Sequence, residues 1–452
     1  FAALPGTSAD GRAYIDEAIR RGARAILAPS GTTLAEPRND IALITDDDPR
    51  RRLSLMAAEF YQAQPETVVA VTGTNGKTSV AYFTRHLWAR SGRKSASLGT
   101  LGLLADGLPE VPGLTTPEPV LLHAQLADLD HAGISHLALE ASSHGLAQRR
   151  LDGVRISAAG FTNLSRDHLD YHATYEDYFA AKARLFEVCL SVGGTAVVNA
   201  DIEQFEALSD IAKRRGLRLV GYGSAGVDFR LIDRRPTADG STLSLEIFGR
   251  KRTIELPLIG YYQVANALCA LGLASSDATL GIDAMIDGLQ GLPSVPGRLE
   301  RVGRTATGAT VYVDYAHTPD ALETALKAIR EHTERSLSVV FGCGGDRDPG
   351  KRPQMGRAAA TLADRAVLTD DNPRTEDPAA IRAAARVACP DAREIGDRRK
   401  AIEAAIEDLQ AGDVLVIAGK GHEPYQIVGT EHLPFDDRQV AREILVASGG
   451  TV

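Results

Sequence analysis

The 452 residues carry 44% hydrophobic and 24% charged side chains, enough apolar surface for several cores and about three domains at roughly 150 residues each. A single small binding module and a mainly disordered chain are excluded. The 50 Lys and Arg against 59 Asp and Glu leave a net charge of −9, which opposes a general grip on nucleic acid or anionic membrane and confines phosphate binding to particular pockets.

Helix-period and strand-period segments alternate along the whole chain, the pattern of α/β layers with mostly parallel sheets. The chain starts at Phe1 without an initiator Met. Residues 1–4 read as the middle of a strand, so the natural N-terminus is expected upstream. A helix at 9–21 and strands at 25–28 and 41–44 form a small α/β unit that ends at the turn-rich Asp46-Asp47-Asp48-Pro49. Residues 50–61 have helical period and lead into a strand at 68–71. The run Val68-Val69-Ala70-Val71-Thr72-Gly73-Thr74-Asn75-Gly76-Lys77-Thr78-Ser79 is then a buried strand, a glycine loop and a helix beginning near Lys77. Backbone N–H groups and the positive helix end can cradle phosphates there, Lys77 can reach the outer phosphates, and the Thr78 hydroxyl can ligate Mg²⁺. The match to the standard phosphate-loop pattern is imperfect, because its first glycine would fall at Val71.

Further strands at 137–140 and 158–162 deliver Glu140, followed by Ser142-Ser143-His144, and the stretch Asn163-Leu164-Ser165-Arg166-Asp167-His168-Leu169-Asp170-Tyr171-His172. Ligands of open α/β sheets gather at such strand ends, so both clusters are expected beside the phosphate loop. Mg²⁺ prefers oxygen, which favours Glu140 over His168 as a ligand. In residues 175–186 the apolar stripe Tyr175, Tyr178, Phe179, Leu185, Phe186 includes Lys182 at i+3/i+4 spacing. A lysine facing inward must pair with a carboxylate, contact phosphate or lose its charge, unless its stem lets the amine snorkel to the surface. Residues 228–258 alternate as an antiparallel hairpin would. Pro293-Ser294-Val295-Pro296-Gly297 is the strongest break in the chain.

Beyond it, strands at 310–314, 337–341, 366–369 and 414–418 alternate with helices as in a doubly wound sheet. His317 is expected to cap the helix that Thr318-Pro319-Asp320 begins, with a proton shuttle as the alternative role. Gly342-Cys343-Gly344-Gly345-Asp346-Arg347 fails the dinucleotide fingerprint because Arg347 stands where its third glycine belongs, which rules against a nicotinamide cofactor. Cys189, Cys269, Cys343 and Cys389 lie far apart with no metal-type spacing, so neither a disulfide frame nor a zinc site is suggested and a reducing cytoplasm fits. No apolar run of membrane length and no export signal occurs.

With the phosphate loop, Glu140, residues 163–172 and Lys182 in view, the chain resembles the Mur ligases, ATP-dependent amide-bond ligases of peptidoglycan precursor synthesis. Gly260-Tyr261-Tyr262-Gln263-Val264-Ala265-Asn266, Pro296-Gly297-Arg298 and Asp314-Tyr315-Ala316-His317-Thr318-Pro319 extend the likeness over essentially the whole length. The resemblance implies three domains: an N-terminal α/β uridine-binding domain at 1–46 lacking its start, a central P-loop ATPase-like domain at 47–296 and a C-terminal Rossmann-like domain at 297–452. It implies ATP and Mg²⁺ as cofactors, with Gly73, Thr74, Asn75, Gly76, Lys77, Thr78 and Ser79 on the phosphates and Asn266, Arg298 and Asp314 on the rest of the nucleotide. Thr78, Glu140, His168 and a carbamylated Lys182 would hold metal, and Lys77, Glu140, His168 and Lys182 would be the catalytic set.

Within the family, Asp371-Asn372-Pro373-Arg374 is similar to the branch that adds meso-diaminopimelate to UDP-N-acetylmuramoyl-L-alanyl-D-glutamate. Thr115, Thr116, Ser142, Gln148 and Arg150 would then grip the muramoyl dipeptide, and Gly6-Thr7-Ser8-Ala9-Asp10-Gly11 its uridine end. Arg347, Asp371, Asn372, Pro373, Arg374, Gly419 and Glu423 would form the amino-acid pocket. An Arg fork there selects a second carboxylate, which lysine lacks. Because nucleotide and amino acid fall on different domains, a closing motion is expected. The resemblance further implies a cytoplasmic monomer without nucleic-acid or membrane partners. The alternatives are a lysine-adding relative, a folylpolyglutamate-synthase-like ligase, and a nucleotide-binding regulator without ligase chemistry.

Overall fold

The computed structural model describes residues 1–6, 9–36, 38–105, 107–165, 167–168 and 171–452; Thr7, Ser8, Arg166, Leu169 and Asp170 of the motifs above lie outside the described residues. The chain divides into two compact units, one of residues 1–230, 247–249 and 265–288 and one of residues 231–246, 250–264 and 289–452.

In the first unit, β1 (Ala25–Pro29) and β2 (Ala42–Asp46) pair in parallel, covering a small core of Ala3, Ile15, Ile26, Ala28 and Ile41. The helix expected at 9–21 is shorter: a 3₁₀ turn at Gly11–Tyr14 precedes an α-helix at Ile15–Arg20. Asp10 accepts the N–H of Arg12 and so starts the tight turn. The strand expected at residues 1–4 is reduced to a bridge from Ala2 to Leu27.

The main sheet of this unit contains β3 (Thr67–Thr72), β4 (Ser95–Gly99), β5 (Gly102–Ala105), β6 (His136–Glu140), β7 (Ile156–Phe161), β8 (Leu190–Asn199) and β9 (Arg218–Gly223). They run in the order β9-β8-β7-β3-β6-β4-β5. Every neighbouring pair is parallel except β4 with β5. Buried β3 and β6 read as continuous apolar runs because helices cover both faces of a parallel sheet. The helix Lys77–Arg90 buries Val80, Phe83, Leu87 and Trp88, and the Trp88 indole N–H donates to the Ala274 carbonyl at 3.3 Å. The helix bearing Lys182 spans Tyr175–Arg184 and opens with a cap, the Thr174 hydroxyl accepting from Asp177 N–H. It does not continue through 186 as an α-helix; a wide π turn occupies Leu185–Cys189.

The second unit takes in most of β10 (Phe229–Thr237), then β11 (Gly240–Ile247) and β12 (Arg250–Leu256). These three strands fill the stretch whose alternation predicts antiparallel structure. This unit also holds a six-stranded sheet, β13 (Glu300–Arg304), β14 (Thr310–Asp314), β15 (Leu337–Phe341), β16 (Arg365–Leu368), β17 (Arg393–Glu394) and β18 (Val414–Ala418), in the order β13-β14-β18-β15-β16-β17. Only β13 is antiparallel to its neighbour. A hairpin of β19 (Tyr425–Val428) and β20 (Glu431–Pro434) stands apart as its own two-stranded sheet. The helix at Pro319–Arg330 is capped by Thr318, whose hydroxyl accepts from Ala321 N–H. That corrects the assignment of the cap to His317, whose Nδ1 pairs with the Tyr315 carbonyl instead.

Behind the six-stranded sheet Arg398 and Asp437 form an ion pair with both side chains at 0% exposure. Two guanidinium nitrogens lie 2.7 Å from the carboxylate, and Arg398 Nη2 also donates to the Ala418 carbonyl. Removing one partner of such a pair strands the other charge in the interior. Asp437→Ala is expected to destabilise this unit by roughly 3–5 kcal/mol, read as a lower urea midpoint in a circular-dichroism titration.

Candidate functional site

The candidate centre of the first unit lies where β3, β4, β6 and β7 end together. Residue 73 leaves β3, and the loop 73–76 turns directly into the helix at Lys77. Thr74 N–H donates to Asn163 O at 2.9 Å, Asn75 N–H to Asn163 Oδ1 at 3.0 Å, and the Thr162 hydroxyl to Asn75 O at 2.6 Å. The end of β7 therefore holds the glycine loop in shape. Gly76 has φ +88°, and a Cβ there would sit 2.3 Å from Asn266 Oδ1, so only glycine lets the loop pass that side chain. The structure thus brings Asn266 against the loop.

Lys77 Nζ donates to the carbonyls of Gly73 (2.9 Å) and Thr74 (2.8 Å). Lys182 Nζ donates to the same Gly73 oxygen at 2.7 Å. The inward orientation read from the apolar stripe is observed, with Lys182 1% exposed. Burial, reinforced by the neighbouring Lys77 charge and only partly offset by Asp167, pushes the Lys182 pKa well below the usual lysine range. Of the outcomes open to an inward lysine, loss of charge is the one the surroundings favour. The amine lies over the Tyr178 ring, 4.5 Å from its centre, and the Tyr178 hydroxyl meets Thr74 Oγ1 at 3.1 Å.

Glu140 ends β6 at 2% exposure. Its carboxylate accepts from Thr78 Oγ1 (3.2 Å), Thr100 N–H (2.8 Å) and Thr100 Oγ1 (3.2 Å). The oxygen-rich pair Thr78 and Glu140 suits Mg²⁺, which keeps several waters and shares phosphate oxygens rather than demanding an all-protein cage. Among the described residues no group of three His, Cys, Asp or Glu could hold a metal ion by itself. His168, the other ligand expected from the sequence, stands beside Asp167 and makes ring contacts with His144 (5.0 Å) and Tyr178 (6.1 Å). His168 and Lys182 thus gather around Tyr178, while Thr78 and Glu140 meet each other. Sequence reasoning passes over Thr100, whose one signal is a position just past β4.

Beside this cluster, Thr116 Oγ1 donates to Glu140 O at 2.8 Å and accepts from Ser142 N–H at 3.0 Å. Thr115 Oγ1 meets Thr100 Oγ1 at 3.1 Å. Arg150 donates to Thr116 O (2.6 Å) and Gln148 Oε1 (2.8 Å) and pairs with Glu118. All five residues expected to grip the muramoyl dipeptide therefore belong to one hydrogen-bonded patch. Asp152, just beyond, takes both guanidinium nitrogens of Arg184 at 2.7 Å, which ties this loop to the helix carrying Lys182.

The second unit offers its own cluster at the C-terminal ends of β14, β15, β16 and β18, where ligands of such sheets bind. Asp314 ends β14 and accepts from Leu299 N–H (2.7 Å) and Ala316 N–H (2.8 Å). Burial nevertheless pushes its pKa up to about 6, against the pull of Arg298. Arg298 lies over the Tyr315 ring at 4.5 Å. Gly419 leaves β18 so close to Asp371 that a Cβ would meet Oδ2 at 2.5 Å. Asn372 Nδ2 donates to Glu423 Oε2 at 3.1 Å, and fully buried Lys420 bonds both Asn372 Oδ1 (3.1 Å) and Glu423 (3.2 Å). Half-buried Arg374 donates through Nη1 to Gly345 O at 2.8 Å, leaving Nη2 and Nε off that carbonyl. Pro373 is buried, whereas Arg347 is exposed on the loop after β15. Lys420 also escapes sequence reasoning, although a lysine between two glycines at the end of an apolar strand is a readable signal.

Residues 71–274 match the family model of the Mur ligase middle domain, and residues 297–421 that of the Mur ligase, glutamate ligase domain. The chain is 50% identical over 457 residues to the UDP-N-acetylmuramoyl-L-alanyl-D-glutamate--2,6-diaminopimelate ligase of Bradyrhizobium diazoefficiens, covering 99% of this chain and 92% of the relative. It is also 50% identical over 446 residues to the protein of that name from Caulobacter vibrioides, covering 97% and 90%. A solved structure of a ligase of the same name shares 36% identity with a TM-score of 0.74, over 99% and 92% of the two chains. A MurF ligase from Thermotoga maritima, solved with ADP, shares the fold at a TM-score of 0.63 and 21% identity, over 99% and 93%.

Gly76→Ala would push a methyl onto Asn266 and force a left-handed alanine, a cost on the order of 1–2 kcal/mol for the backbone alone. Nucleotide affinity measured by calorimetry is expected to fall about tenfold or more, with the melting temperature lowered by a few degrees.

Proposed function

The chain belongs to the Mur ligase family, and we propose that it couples ATP cleavage to amide-bond formation between meso-2,6-diaminopimelate and the D-glutamyl γ-carboxylate of UDP-N-acetylmuramoyl-L-alanyl-D-glutamate. The observation that carries the choice of amino acid is Arg374, which follows buried Asp371 and Asn372 in the loop after β16 and whose Nη1 donates to Gly345 O, leaving Nη2 and Nε for a ligand. A planar fork of this kind meets a carboxylate through two parallel hydrogen bonds. Diaminopimelate carries that second carboxylate; lysine does not.

The reaction has two steps. The γ-carboxylate oxygen of the dipeptide attacks the terminal phosphorus of ATP, which forms an acyl phosphate and releases ADP. The diaminopimelate amine then attacks the acyl carbon, the tetrahedral adduct expels inorganic phosphate, and the amine gives up its proton. Catalysis of phosphoryl transfer is mostly positioning and electrostatics. The loop amides of residues 73–76, the start of the helix at Lys77 and the Lys77 ammonium hold the phosphates. For this, Lys77 exchanges its loop carbonyls for phosphate oxygens. When bound, Mg²⁺ supplies charge neutralisation on those oxygens, with Thr78 and Glu140 as its donors and His168 as a further candidate. Thr115, Thr116, Ser142, Gln148 and Arg150 orient the acceptor dipeptide. Asn266, Arg298 and Asp314 are the further candidates for the nucleotide. Residues 1–46, 47–296 and 297–452 are the functional domains of this reading, which makes the chain a cytoplasmic monomer working on small molecules.

Lys182 acts as a carbamate. Its uncharged amine is the form that adds carbon dioxide, N–C bond formation releasing one proton and leaving an anion where an ammonium would be costly. The anion supplies the oxygen ligand that a lysine cannot. Active protein equilibrated with bicarbonate is expected to show an intact mass heavier by one carbon dioxide, lost in Lys182→Met. An unmodified amine in fully active protein excludes this role.

The reading is tested by incorporation of radiolabelled diaminopimelate into the UDP-linked dipeptide. Arg374→Ala is expected to lower that rate on the order of a hundredfold, with the KM for ATP within about twofold. Equal rates with lysine and diaminopimelate in the unmutated chain overturn the assignment.

A further inference from the structure

Arg374 has a φ of +53°, in the left-handed region that a residue with a Cβ rarely adopts. Such strain persists only where the surroundings over-determine it. Here the restraints come from β19. Arg374 N–H donates to Ile427 O at 3.1 Å, and Gly429 N–H to Arg374 O at 2.8 Å, so Arg374 and Val428 form a parallel bridge. The same strand reaches the residues before it: Ile427 N–H donates to Asn372 Oδ1 at 2.9 Å and Gln426 Nε2 to Asp371 O at 2.5 Å. Residues 371–374 are thus held at four points from one edge of the hairpin.

The hairpin is half-buried along β19, where Lys420 lies over the Tyr425 ring at 5.8 Å. Its two strands form a separate sheet, and β20 is exposed along its whole length. A two-stranded hairpin is at best marginally stable in water, so hairpin and loop support each other.

We infer that the hairpin of β19 and β20, through the Gln426 amide, sets the amino-acid specificity of the pocket by fixing the backbone from which Arg374 projects. The inference rests on the proposed reading of that pocket. Gln426 is a positioning residue: it touches the loop, while Arg374 meets the ligand. Bidentate recognition demands a fixed fork, and a wobbling one loses the benefit of its second hydrogen bond. Lysine brings no carboxylate to the fork, so loosening the loop penalises the diacid alone. Such a loss separates this role from general structural support.

The test measures kcat/KM for diaminopimelate and for L-lysine, together with the KM for ATP, in Gln426→Ala and in Gln426→Met, which keeps the volume but has no donor. The expected result in Gln426→Met is a drop of about tenfold in the diaminopimelate value, with the lysine value and the ATP KM within twofold of wild type. Adding Arg374→Ala to Gln426→Met is expected to lower the diaminopimelate value no further than Arg374→Ala alone. A wild-type ratio of the two amino acids in Gln426→Met, or equal losses on both, overturns the inference. If the unmutated chain incorporates no diaminopimelate, the parent reading falls and the inference with it; incorporation with an unchanged ratio in Gln426→Met sinks the inference alone.

Discussion

Two lysine side chains converge on one backbone oxygen, that of Gly73, and the organisation of the first unit depends on how that convergence is tolerated. Two ammonium groups donating to one carbonyl would repel each other, and the deeper one, on Lys182, has almost no access to water. The cheaper state has Lys182 uncharged, beside a Lys77 that sits half-buried at the start of its helix. The same few ångströms then contain a cation suited to phosphate and an amine suited to covalent change. Neither the loop nor the helix at Tyr175–Arg184 creates this alone. It arises because β3 and β7 are neighbours in the sheet, so that the segments leaving the two strands meet at one end.

The second unit solves a different problem with the same geometry. Strand ends deliver short loops toward one crevice, but loops of backbone and small residues need fixing from outside. Buried Lys420 between Asn372 and Glu423, the close passage of Gly419 past Asp371, and the hairpin edge along 371–374 all act as restraints on those loops. The Arg398–Asp437 pair holds the floor beneath them, since Arg398 also bonds the carbonyls of Ala418 and Asp370.

Much of this is legible in the chain itself, because local patterns carry it. A buried strand, two glycines and a helix start within twelve residues announce the phosphate loop, and a 3.6-residue period shows that Lys182 points inward. Four strands of the six-stranded sheet fall within a residue or so of their expected limits, whereas β13 and the two-residue β17 have no counterpart in the sequence reading. The features that escape depend on pairing between distant segments. Thr100 holds Glu140 only because β4 lies beside β6, and Gln426 reaches Asp371 across 55 positions; no periodicity reports either. The N-terminal helix is shorter than its pattern suggests because Asp10 favours a tight turn over a regular helix start. The cap expected of His317 comes from the adjacent threonine, better suited by its short hydroxyl.

The bidentate contact between Arg184 and Asp152 also bears on how the first unit responds to force. It is short, shielded from solvent and placed two residues from Lys182 on one side and two from Arg150 on the other. Such a strut transmits displacement rather than absorbing it. A displacement at either end is passed to the other, so the hydrogen-bonded patch around Arg150 and the helix carrying Lys182 shift together.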